Sequence, residues 1–232
     1  MQNNKSSAFK IEDFIAPIIN TAIKVITDPS VFFKNMAKNG GFVEPLIFIG
    51  AMGVISGILQ AIMAFFGLAR GVPFSKAVAS IVIAPVGMVI FGFVISFILF
   101  IIWKIMGSRE SFETAFRCNA YISSITPINT VLSIIPYVGP VIGFVWMMYL
   151  LIIASIEVHS IRPGVAWIVF GLICAFLSFA SINSQLAIKE QKSGTGWLKD
   201  KHTNELQDTR PEKSKQEASE FLKRFEDEPG KK

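Results

Sequence analysis

The chain has 232 residues, of which 52% are hydrophobic, with a mean hydropathy of +0.52 and a formal net charge of +5. That average includes a hydrophilic stretch from Lys189 onward, so the residues before it are too apolar for an ordinary water-soluble domain. The charge does not argue for nucleic acid: its basic residues lie scattered beside apolar runs or are matched by acids near the C-terminus, a pattern suited to anionic headgroups.

Met1–Lys10 is polar and unlike a cleavable signal. In the segment that follows, Ile11, Phe14, Ile15, Ile18, Ile19, Ala22, Ile23 and Ile26 recur at three- and four-residue steps. This spacing predicts a helix with one apolar face, lying in the headgroup plane and kinked at Pro17. Asp28-Pro29 reads as a second helix start, Asp28 as N-cap and Pro29 at the first helical position. Val31, Phe32, Phe33 and Met36 supply its apolar face, and Asn39-Gly40-Gly41 ends it. Phe14, Ile18, Phe32 and Phe33 are the candidate membrane contacts. The same helices also suit a simple cover over one end of a bundle.

Five apolar runs follow, at Pro45–Leu68, Val78–Trp103, Phe116–Ile135, Tyr137–Ile156 and Val165–Asn183. A hydrocarbon core of roughly 30 Å needs about 20 helical residues, and backbone groups in lipid must pair within their own segment. Five transmembrane helices are therefore expected. The third is the most polar: Asn119, Ser123, Thr126 and Thr130 step by four, three and four, Asn129 borders them, and Pro127 interrupts the backbone ladder. This stripe either bonds to neighbouring helices or lines a hydrophilic path, and its polarity also fits a re-entrant segment. Ile135-Pro136-Tyr137-Val138-Gly139-Pro140 carries no charge and predicts a tight turn between antiparallel helices.

From Lys189 to Lys232 the chain holds eleven of the twenty-two Lys/Arg and ten of the seventeen Asp/Glu, a composition that predicts disorder. Within it Ala218, Phe221, Leu222 and Phe225 form a helical stripe. It suggests a short amphipathic helix over 212–227, docking on a partner through Phe221, Leu222 and Phe225, or else plain solvated tail. The expected organisation is thus an all-α integral membrane protein. Residues 1–41 form a polar and amphipathic interfacial segment, 42–185 a five-helix domain, and 186–232 a charged flexible tail. Lys34 and Lys38, just ahead of the first run, favour a cytoplasmic N-terminus in the cell (inner) membrane.

Motifs for chemistry are sparse. The centres of the five runs carry no Asp, Glu, Lys, Arg or His, and the chain holds no HExxH, phosphate-binding loop or GxSxG. Glu157 and His159, two residues apart, do not share a helical face. Cys118 and Cys174 fall within runs and imply neither a disulfide nor a metal site. No catalytic, cofactor-binding or metal-binding residue is expected. The first expectation is a non-enzymatic organiser or scaffold contacting lipid, with a protein partner at the tail and self-association both open. The second is a small transporter or channel subunit with its path along the third run. Small-residue pairs such as Gly53/Gly57, Gly139/Gly143 and Gly171/Ala175 favour close helix packing.

Four segments, in this order, resemble the Yip (Ypt-interacting protein) domain family, particularly its bacterial members. They are Thr27–Met36, Gly40–Leu46, Gly107–Arg117 and Ile135–Gly139, within a similarity covering roughly residues 20 to 185. The resemblance implies a five-helix membrane domain with a cytoplasmic N-terminus. It links the chain to relatives associated with small prenylated GTPases, vesicle traffic and membrane shaping. The short N-terminal region and the charged tail depart from those relatives, so a GTPase-binding role is not carried over, and no catalytic residue transfers.

Overall fold

The computed structural model describes residues 11–69, 72–185 and 216–223, and every regular element among them is helical. Two units are resolved, Met1–Ser181 and Ile182–Lys232. In chain order the first holds α1 (Ile11–Thr27), α2 (Pro29–Asn35), α3 (Val43–Phe65), α4 (Phe74–Ile105), α5 (Phe112–Ile122), α6 (Thr126–Leu132) and α7 (Val138–Glu157). α8 (Pro163–Gln185) follows and runs past the boundary. The second unit is described only for the end of α8 and for a helix at residues 216–223, α9.

The local sequence explains most of these boundaries. Asp28 caps α2 by accepting from the Val31 N–H at 3.4 Å, with Pro29 in the first helical position, where a missing N–H costs nothing. Ser111 caps α5 in the same way through Thr114 N–H at 3.2 Å. α1 continues through Pro17 rather than ending there. At the other turn, Val138 N–H reaches Pro136 O at 2.8 Å around Tyr137, which sits at φ +66.

Among the described residues four helices are long and apolar enough to cross a membrane: α3, α4, α7 and α8. The third expected crossing takes another form. It is α5, a tight 3-10 turn at Ser123–Ile125, and α6. The reason is local: Pro127 has no N–H to offer the Ser123 carbonyl, and the Thr126 N–H takes that oxygen instead, tightening the coil. The broken path nevertheless runs beside α7 along its length. It begins where Glu110 meets Lys38, whose Nζ also bonds Val158 O at the end of α7, and it finishes where Leu132 O abuts Gly139 at the start of α7.

Packing is tightest between α3 and α4. A Cβ on Gly53 would stand 2.5 Å from Pro85 Cα, and one on Gly57 2.6 Å from Ser80 O. As the α3 number rises the α4 number falls, so the two are antiparallel, their backbones close because neither glycine carries a side chain. The core gathers Val25, Phe33, Phe48, Met52, Trp103, Tyr121, Leu150 and Phe170 from α1 to α8. Large apolar side chains such as Phe91, Val82 and Leu172 point outward, 66 to 69% exposed, as expected of a lipid-facing surface.

Candidate functional site

At one end of the bundle the start of α3, the end of α4, the start of α5 and the end of α7 converge on a polar network. Its centre is Arg117, only 2% exposed although it lies within the third apolar run. Its Nε donates to Ala37 O at 2.8 Å, Nη1 to Gly41 O at 3.0 Å and Nη2 to Glu44 Oε2 at 2.9 Å. The fork of a guanidinium suits this task, since its several N–H donors reach three acceptors at once and satisfy a charge that would otherwise be costly to bury.

The same linker is held from two more sides. Glu113 Oε1 accepts from Gly40 N–H at 2.7 Å and Gly41 N–H at 2.6 Å. Such paired donation requires Gly40 at φ +141 and Gly41 at φ +79, values that L side chains rarely adopt. Lys38 bridges Glu110 at 2.7 Å, and Thr114 Oγ1 donates to Lys38 O at 3.2 Å. Residues 37–44 are thus tied to α5 by six hydrogen bonds, which fixes how α2 is joined to α3.

Beneath this layer, Trp103 Nε1 donates to Ser155 Oγ at 2.7 Å, and the Trp103 and His159 rings stack at 3.9 Å. His159 Nδ1 pairs with Ser108 Oγ at 2.8 Å, while Nε2 faces Cys118 Sγ at 3.9 Å. Burial first, then the charges of Lys38 and Lys104, push the His159 pKa down to about 3, so the ring is neutral at physiological pH. Ser108 and His159 are 6% and 4% exposed, which encloses the pair. Glu157 takes no part in it: its Oε1 accepts from Ser30 Oγ at 2.7 Å and draws α2 onto α7.

The residues singled out from the sequence separate into three places. Phe33, read as a lipid contact, is 1% exposed, and Phe32 packs edge-on to Phe33 and Tyr121 with ring centroids at 5.4 and 5.2 Å. The docking of α2 against α7 turns both rings inward. Ile18 is partly buried against the core, and Phe14 lies on α1 outside the residues whose side chains are described. In the polar stripe, Asn119 Nδ2 crosses to α4, donating to Ser96 Oγ at 2.9 Å and Gly92 O at 3.1 Å. Ser123 and Thr130 donate to carbonyls of their own segment, those of Ala120 and Thr126. Phe221 and Leu222 lie on α9, 61% and 65% exposed, whereas Phe225 is outside the described residues.

Arg117, Glu113, Lys38 and Ser108 were not among the sequence candidates. A signal existed for one of them: an arginine inside an apolar run demands a partner, and Glu44 stands at the head of another run. Four long apolar helices, joined by a broken fifth segment and closed by a polar layer, define a multi-pass helical membrane protein. Residues 23–182 match the Yip1 domain, and the chain belongs to that family. No curated protein and no solved structure is detectably similar to it. Two of the four segments that carry the resemblance, Gly40–Leu46 and Gly107–Arg117, meet in the polar layer through Glu44 and Arg117, while a third, Thr27–Met36, is tied to α7 by Ser30.

Proposed function

We propose that the protein is a non-enzymatic membrane organiser that crosses the bilayer five times and holds α1 among the headgroups of the cytoplasmic leaflet of the cell (inner) membrane. One observation carries this reading. α1 is apolar on two faces: Ile18, Ala22 and Val25 pack on the core, while Ile15, Ile19 and Ile23 stay 43 to 52% exposed at four-residue steps. A second apolar stripe on a helix already docked by the first has lipid as its natural solvent. In this reading Ile15, Ile19 and Ile23, rather than Phe32 and Phe33, touch the membrane.

The course of α5 and α6 beside α7 supports the fifth crossing, because a segment that starts at one end of a span and finishes at the other traverses the same depth. The charged end carries Lys34, Lys38, Lys104, Arg109, Arg117 and Arg162, whereas at the other end the turn before α7 carries no charge and the connection from α3 to α4 adds Arg70 and Lys76. The positive-inside bias then assigns that end to the cytoplasm. The exposed Phe221 and Leu222 on α9 suit contact with a protein partner.

The test is reconstitution into vesicles. Wild-type protein should alter vesicle shape in electron micrographs without releasing entrapped solutes. A variant carrying Ile15→Ser, Ile19→Ser and Ile23→Ser should insert equally well and lose most of that effect. A triple variant as active as wild type would sink the reading.

One observation favours a second reading, a transporter or channel subunit. A cavity of about 200 Å³ is lined by Asn119, Ser123, Thr126 and Asn129, and Asn129 Oδ1 is buried there with no hydrogen-bond partner. Solute release from the same vesicles, abolished by Asn119→Leu at unchanged protein abundance, would favour this reading over the first.

A further inference from the structure

Between α1 and the first turns of α3 lies a cavity of about 440 Å³, beside the Arg117–Glu44 pair. We propose that it binds a single phospholipid whose headgroup bears a primary ammonium, with the ammonium on Glu44 and an acyl chain along Ile18, Ile47 and Phe48. The inference rests on the placement of α1 among the headgroups and names what that surface recognises.

The lining has the division a lipid requires. Ile18, Ile47 and Phe48 make an apolar wall, while Thr21, Glu44 and Tyr121 bring polar groups to it. A volume of this size falls within the range of sites that enclose small ligands. The charge it presents is set by unequal exposure. The Arg117 side chain is 3% exposed and that of Glu44 70%, so the pair turns its carboxylate outward and its guanidinium inward. Among the described lining residues Glu44 alone is charged, so the cavity presents a carboxylate.

An ammonium complements this arrangement, and its three N–H donors allow charge-assisted bonds to Glu44 that a quaternary amine cannot make. An anionic headgroup without an amine would meet the outward carboxylate of Glu44 with no cation of its own to offset the repulsion. A lipid, rather than a soluble amine, is indicated by the apolar wall, which only a hydrocarbon chain would cover.

The experiment is native mass spectrometry of the protein released from bilayers with equal amounts of phosphatidylethanolamine, phosphatidylcholine and phosphatidylglycerol. Wild type should retain phosphatidylethanolamine over either competitor by roughly tenfold, the worth of a charge-assisted hydrogen bond. Glu44→Gln keeps an oxygen for Arg117 and should abolish the preference. Thr21→Trp leaves the ion pair intact, fills the cavity and should abolish retention of all three lipids. Equal retention of the three by wild type would overturn the proposal. So would unchanged retention in Thr21→Trp, which decides the matter if Glu44→Gln does not fold. Displacement of the lipid by soluble glycerophosphoethanolamine would likewise overturn it, in favour of a site for free amines. Lost lipid preference with vesicle remodelling intact sinks this inference alone, and the reverse pattern sinks the organiser reading alone.

Discussion

α5 and α8 lie in opposite surroundings, and their compositions run contrary to the rule for water-soluble proteins. α5 carries Glu113, Thr114, Arg117 and Asn119, yet Thr114 to Cys118 are all buried. α8 is almost wholly apolar, yet Trp167, Ile168, Leu172, Phe176 and Phe179 are 55 to 70% exposed, and only Ala166 and Phe170 are fully enclosed. In lipid the apolar helix needs no protein cover, because hydrocarbon is as good a neighbour as another leucine. Polar groups have no such alternative. They must find partners inside the protein, so the least hydrophobic segment becomes the interior.

The comparison can be broken at its strongest point first. Arg117→Ala strands the carbonyls of Ala37 and Gly41 and unties α5 from the linker before α3. It should cost about 3 kcal/mol in thermal unfolding measured in detergent, and a Lys at the same site should recover little, since a point charge cannot reach three acceptors. Retention of wild-type stability would mean that the buried end is not held by this residue.

A pair of glycines sharpens the contrast between inner and outer helices. Gly57→Ala would place a methyl 2.7 Å from Ile81 Cα and should cost about 2 kcal/mol by prising α3 from α4. Gly171→Ala on α8 meets nothing within 4 Å and should leave the melting temperature unchanged or slightly raised. Equal effects at the two sites would remove the distinction. The smallest expected loss is that of Asn119→Leu, about 1 kcal/mol for its bonds to Gly92 O and Ser96 Oγ, readable as a difference in unfolding against wild type.

Much of the fold was legible in advance, for reasons that differ between elements. The long apolar runs, the Asp28 cap and the uncharged turn before α7 depend on residues within a few positions of one another, and each sits where its own stretch of chain puts it. The break at Ser123–Ile125 was half visible: Pro127 announced a lost hydrogen bond, but not that the coil would tighten and continue. The inward turn of two aromatic rings was less accessible. Phe32 and Phe33 have the character of membrane anchors, and the hydrogen bond from Ser30 to Glu157, 127 residues away, accompanies their turn inward. The polar layer was the least legible, because its residues read singly as loop charges.

By itself, then, the sequence determined that the chain is helical, membrane-embedded and divided into spans of these approximate lengths, since hydropathy and turn chemistry are properties of a local stretch. Only the tertiary structure decided which face of α1 is inward, which small residues touch a neighbour, and that Arg117 is the tie between α5 and the start of α3. Its partners lie 73 to 80 residues away. A hydrogen bond is a relation between two groups in space, and neither residue's own neighbourhood in the chain records which distant acceptor the fold will bring within 3 Å.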